Sequence, residues 1–158
     1  MTPTRRQLLA LLAGGAVFGP LAAAAPAPAV TGIPADQLGR ITYLDFWASW
    51  CTPCAAAFPW LNQMQDAHGP RGLRVLGIGL DAQTDRGDRF LQQHPARFSI
   101  LRDPEGRLAE HYGVEGMPYA VIIDRQGQIL HRHTGFRPAD RASYEQAIIA
   151  ALAERGGA

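Results

Sequence analysis

Trp50-Cys51-Thr52-Pro53-Cys54 follows directly on the apolar run Ile41–Ala48 and holds both cysteines of the chain. A C-x-x-C pair that leaves a strand and opens a helix is placed for thiol–disulfide exchange. The thiolate is the reacting species, and a helix N-terminus stabilises it with unpaired backbone N–H groups and partial positive charge. A free thiol of pKa about 8.5 is only slightly ionised at neutral pH. Lowering that value to roughly 6.5 takes about 2.7 kcal/mol of differential stabilisation and leaves the sulfur mostly anionic. The second cysteine, one helical turn on, is then in place to displace a captured substrate sulfur. Two other chemistries use the same spacing. Structural zinc wants four ligands, and no second cysteine pair exists. A purely structural disulfide across so small a loop restrains the unfolded chain little.

The first residues read as an address, not as part of the fold. Thr4-Arg5-Arg6-Gln7-Leu8-Leu9 is a basic start to an apolar segment running to about Ala25, rich in Ala and Gly and broken by Pro20. Ala27-Pro28-Ala29 supplies a small-x-small cleavage pattern. Residues 1–29 are therefore expected to be an export signal and residues 30–158 a single domain. The arginine pair resembles a twin-arginine signal, and an ordinary Sec signal fits as well. The competing reading is an uncleaved anchor, but the segment is barely long enough to span and Ala and Gly transfer weakly. No cysteine lies near the cleavage region to carry a lipid. Loss of Arg5 and Arg6 takes the formal charge from +1 to −1. With no basic stripe interleaved with aromatics, nucleic-acid binding is excluded. Export implies a periplasmic setting in which disulfides persist, so a reducing pair there needs a dedicated electron donor.

Along the mature chain, Val30–Gly39 shows no periodicity and reads as a lead-in with at most one short strand. Ile41–Ala48 is a strand covered on both faces. Thr52 to about Ala67 turns helical, with Pro59 expected to kink it. Gly69-Pro70 breaks the chain before a second strand, Leu73–Leu80. Asp85–Gln93 reads as a helix with Phe90 and Leu91 inward, and Leu108–Tyr112 as a short helix ended by Gly113. Tyr119–Ile123 is a third strand, turned by Asp124-Arg125-Gln126-Gly127 into Gln128–Thr134. Ala139–Ala153 closes the chain as an amphipathic helix. The order predicts an α/β fold: a mixed sheet with helices on both faces.

Those elements and Phe46-Trp47-Ala48-Ser49-Trp50-Cys51, Phe58-Pro59, Asp103-Pro104-Glu105-Gly106, Tyr112-Gly113-Val114-Glu115-Gly116-Met117-Pro118 and Ile122-Ile123-Asp124-Arg125-Gln126-Gly127 occur together, in order, from Gly39 onward. In them the chain resembles the TlpA/ResA-like exported thiol–disulfide oxidoreductases of the thioredoxin superfamily. The resemblance implies a thioredoxin-like fold, a redox-active Cys51–Cys54 disulfide, Cys51 as exposed nucleophile and Cys54 as buried resolving thiol. It implies a cis bond at Pro118, beside the cysteines, with the Met117 backbone free to pair with an extended substrate segment. Asp45 matches the buried carboxylate of thioredoxin. Buried, it should have a raised pKa and accept the proton of Cys54 during resolution. The same likeness implies protein disulfide substrates such as apocytochrome c, a DsbD/CcdA-like membrane electron donor, a monomer, and no cofactor. Two departures stand out. Ala57 occupies the position where ResA-type relatives carry an acid, and the chain contains no lysine to partner Asp45 as thioredoxin's does.

Trp50, Thr52 and Pro53 frame the nucleophile. Trp50 is expected to cover the disulfide and offer substrates an apolar contact, and Thr52-Pro53 to fix the helix start and tune the thiol. Whether the pair reduces or forms disulfides is open at this level, because about 30 mV, or 1.4 kcal/mol, is within reach of small contacts. His131 and His133 alternate on one strand face and raise a third possibility, copper held by the thiols and a histidine. Solvated strand side chains account for that spacing equally well.

Overall fold

A computed structural model describes Ile33 and residues 39–154. The expected export signal and most of the lead-in lie outside the described residues. Five strands and four helices follow in the order β1 (Ile41–Trp47), α1 (Thr52–His68), β2 (Leu73–Gly79), α2 (Thr84–Gln93), β3 (Ser99–Arg102), α3 (Arg107–Tyr112), β4 (Tyr119–Ile123), β5 (Ile129–Thr134) and α4 (Arg141–Ala153). The strands form one sheet ordered β3-β2-β1-β4-β5. β1, β2 and β3 run parallel, and β4 and β5 pair antiparallel beyond β1.

β1 is buried along its whole length, as its nearly continuous apolar run predicts for a central strand. Alternation divides its side chains between two cores. Tyr43 and Trp47 enter a core with Phe58 and Leu61 of α1, Phe90 of α2 and Ile148 of α4. Leu44 and Phe46 enter the other, with Leu108 and Tyr112 of α3. Trp47 stacks on Phe90 at 4.8 Å between ring centres and meets Phe58 edge-on at 5.5 Å. Helices therefore cover both faces, and the C-terminal ends of β1 and β2 lie side by side at one edge.

Local chemistry fixes the joints. The Asp103 carboxylate accepts from the N–H groups of Arg107, Leu108 and Ala109 at 2.9, 2.9 and 3.1 Å, capping α3 from outside it. Asp124 accepts from Gln126 and Gln128 N–H and shapes the β4–β5 turn, where Gly127 takes φ +83°.

One expectation needs correction. β3 is an additional strand that no periodicity signalled. It has four residues, exposed or half-buried, at the sheet edge. α1 continues as one helix through Pro59, whose ring is exposed. Among the described residues no helix is long and apolar enough to cross a membrane.

Candidate active site

β1 delivers the chain to the sheet edge, where a tight turn redirects it. Cys51 N–H donates to the Ala48 carbonyl at 3.0 Å, closing the four-residue turn Ala48–Cys51. Cys51 is then the N-cap of α1, in an extended conformation (φ −92°, ψ 96°), and its carbonyl accepts from Cys54 and Ala55 N–H. Pro53 falls in the first turn, where its missing N–H costs nothing. No acidic residue occupies that turn, so the helix's positive end is not neutralised.

Cys51 and Cys54 are joined as a disulfide, with Cα atoms 5.3 Å apart. Cys54 is fully buried and Cys51 is 5% exposed. The expectation of an exposed Cys51 is corrected here: in the disulfide both residues are buried. What the surface presents around them is Trp50, 68% exposed, with Thr52 and Pro53 also exposed. Trp50 projects outward, so its exposed ring is available for contact with a second molecule.

The Met117–Pro118 peptide is cis. Pro118 is buried, and its carbonyl accepts from Gly135 N–H at 2.7 Å, tying this corner to the end of β5. The Met117 side chain packs against the core cluster that contains both cysteines. Its own backbone N–H and C=O have no hydrogen-bond partner among the described residues.

Asp45 lies on β1 between Tyr43 and Trp47, on the face whose core includes the cysteines. It is 3% exposed, and its Oδ2 has no hydrogen-bond partner. Burial without a counter-charge pushes its carboxyl from 3.8 up to about 8. The sheet explains the crowding: Asp45 pairs with Gly77 on one side and Ala120 on the other, which leave it no polar side chain in register.

His131 and His133 do share a strand face, with ring centres 6.2 Å apart. His133 is already engaged. Its Nδ1 is 3.1 Å from the Gly135 carbonyl and so carries the proton, and its Nε2 accepts from Tyr43 OH at 2.7 Å. Burial pushes its pKa down, opposed by the bond to Gly135. Among the described residues no three His, Cys, Asp or Glu are grouped to hold a metal ion.

The profile of the AhpC/TSA family matches residues 33–132, which include every one of these site residues except His133 and Gly135. The chain belongs to the AhpC/TSA family. Similar curated proteins include the thiol-disulfide oxidoreductase ResA of Bacillus thuringiensis subsp. konkukian (strain 97-27), 26% identical over 100 residues, or 63% of this chain and 58% of that protein. Another is the thiol:disulfide interchange protein DsbE homolog of Paracoccus denitrificans (strain Pd 1222), 37% identical over 113 residues, or 71% of this chain and 59% of that one. The chain thus spans under three fifths of the length of these relatives. A solved structure assigned as a thiol:disulfide interchange protein DsbE from Chlorobium tepidum superposes with TM-score 0.72 at 50% identity, covering 75% of this chain and 84% of the other. StoA from Bacillus subtilis shares the fold alone, with TM-score 0.61 at 23% identity over 70% of this chain and 84% of the other. The thioredoxin-like α/β fold and the family resemblance expected from the sequence are borne out.

Within this family fold, one side chain at the site escaped sequence reasoning. Asp81, two residues past the end of β2, is buried and reaches across to the turn before Cys51. The usable signal was an acid just past an apolar strand that lies parallel to β1.

Proposed function

We propose that this chain is an exported thiol–disulfide oxidoreductase that works as a disulfide reductase on proteins. The observation that carries the reading is the Cys51–Cys54 pair at the mouth of α1, on the same side of the sheet as a buried, unpartnered Asp45. In the reduced protein the Cys51 thiolate attacks a substrate disulfide, forming a mixed disulfide and releasing one substrate thiolate. Cys54 loses its proton to the Asp45 carboxylate and attacks the Cys51 sulfur. The second substrate thiolate leaves, so the substrate gains two electrons and the pair becomes the disulfide. Burial raises the Asp45 carboxyl to about 8, so it holds a proton far more tightly than an ordinary carboxylate and becomes a better base when ionised. In its protonated form the same Asp45 returns the proton to Cys54 when a donor reduces the pair.

Met117, with its free backbone beside the cysteines, offers an edge on which an extended substrate segment pairs, and exposed Trp50 supplies an apolar contact. Thr52 and Pro53 set the helix start that tunes Cys51. Extended, unfolded substrates fit this arrangement, and apocytochrome c with its haem-binding cysteines is one such substrate. The donor is a DsbD/CcdA-like membrane protein. The basic-then-apolar start of the sequence supports export to the periplasm, with residues 1–29 removed. The relatives ResA and DsbE are named for thiol–disulfide oxidoreduction and interchange, which supports redox chemistry at the cysteine pair.

Insulin-disulfide reduction by the reduced protein tests it. Activity should vanish in Cys51→Ser, and Cys54→Ser should accumulate mixed disulfides. An inactive parent protein, or a Cys51→Ser variant as active as the parent, refutes the assignment. An oxidant in place of a reductant would form disulfides in reduced substrates and leave insulin intact.

A further inference from the structure

The turn that presents Cys51 is held from outside the Cys motif. Leu80 N–H donates to the Trp47 carbonyl at 2.9 Å, carrying the β1–β2 pairing to the very edge of the sheet. One residue on, the Asp81 carboxylate takes over from the backbone. Oδ2 accepts from Ser49 N–H at 2.9 Å and Oδ1 from Ser49 Oγ at 2.6 Å. Ser49 is the second residue of the Ala48–Cys51 turn, so the two bonds fix the turn at its bend. Hydrogen bonds to a carboxylate are among the stronger ones, and these are made by a buried acid with few alternatives.

A cation stands near Asp81. A Cβ placed on Gly87 of α2 would lie 2.1 Å from Arg102 Nη1 and 3.5 Å from Asp81 Oδ2, so the guanidinium and the carboxylate both border a residue that has no side chain. Arg102 Nη2 is anchored by Asp88 of the same helix, while its Nη1 is buried with no hydrogen-bond partner. The Arg102 charge thus stands beside Asp81 without closing on it, leaving both carboxylate oxygens for Ser49. Gly87 and Asp88 of α2 and Arg102 of β3 thus flank the acid that holds the turn before the nucleophile.

We propose that Asp81 is a positioning residue of the redox centre, fixing Cys51 at the mouth of α1 through its double hold on Ser49. This rests on the reading of Cys51 as nucleophile but is tested without any substrate. The probe is the pH dependence of iodoacetamide alkylation of Cys51 in the reduced full chain. Asp81→Ala frees the turn, and the Cys51 pKa should rise by at least half a unit, slowing alkylation at pH 6 about threefold. Ser49→Ala removes one bond at a half-exposed position and should shift the pKa the same way by less, with the melting temperature unchanged. Asp81→Asn keeps an acceptor for Ser49 N–H and a donor for Ser49 Oγ, so it should restore parental reactivity.

Parental reactivity in Ser49→Ala together with a folded, parental Asp81→Ala overturns the proposal. So does a fall in pKa in both Asp81→Ala and Asp81→Asn, which would mean that the acid acts by charge alone. If Asp81→Ala does not fold, Ser49→Ala decides: a parental pKa there overturns the proposal. A reactive, clamp-dependent Cys51 in a protein that fails to reduce insulin would separate a wrong function from a wrong clamp.

Discussion

Replacing Asp45 with Asn should abolish a pH dependence of stability that the parent protein carries. In the folded chain the carboxyl is pushed from 3.8 up to about 8 by burial, with no hydrogen bond at Oδ2 to offset it. In the unfolded chain it titrates near its ordinary value. Between these two values the folded state holds a proton that the unfolded state has released. The contribution is therefore fully present below about pH 4 and is lost as pH rises through about 8. The slope inside the window is about 1.4 kcal/mol per pH unit, and the whole window amounts to roughly 6 kcal/mol. Asn has the same shape and no charge. It should match the protonated acid near pH 4 and be the more stable side chain by several kcal/mol at pH 8. The assay is urea unfolding of the oxidised parent and Asp45→Asn at pH 5, 6, 7 and 8. Other titrating groups, His133 among them, occur in both proteins and drop out of the difference. A difference growing by about 1.4 kcal/mol per unit from pH 5 to 7 is expected. Parallel profiles would refute the reasoning, because they would mean that Asp45 ionises in place without cost.

Asp103→Ala should cost about 1–3 kcal/mol in urea unfolding, since three N–H groups at the start of α3 lose their acceptor. A change below 0.5 kcal/mol, taken as roughly the noise of surface substitutions, would contradict the cap. Gly77→Ala should destabilise by about 1–3 kcal/mol, because its Cβ would meet Ile100 Cδ1 at 2.9 Å and Phe98 Cε2 at 3.0 Å in a packed core. An unchanged unfolding midpoint would show that the core yields there. Trp50→Ala should leave stability within about 0.5 kcal/mol while raising KM for a protein disulfide; an unchanged KM would remove Trp50 from substrate contact.

The central architecture was legible because its signals are strong. A nearly continuous apolar run marks β1 and β2, and the cysteine motif marks the join of β1 to α1. Asp124-Arg125-Gln126-Gly127 marks the hairpin by turn chemistry. β3 was not legible: Ser99-Ile100-Leu101-Arg102 is too short for a period, and only its pairing with β2 makes it a strand. Pro59 stands inside α1, where Phe58, Trp60 and Leu61 on either side of it are buried in the core. At the site, Asp45 was visible as a charge inside an apolar run. Asp81 was not, because its role depends on β2 ending beside β1, and that neighbourhood exists only in three dimensions. The cover over Cys51 was hidden for a similar reason: exposure depends on how the folded chain packs around the sulfur, which the order of residues does not record.

The reduction potential of the Cys51–Cys54 pair tests the central claim most directly, by equilibration of the full chain against glutathione or dithiothreitol redox buffers. A value near the roughly −270 mV of thioredoxin is what a reductase of this design requires. A value near the roughly −120 mV of DsbA would make the pair an oxidant and contradict the account.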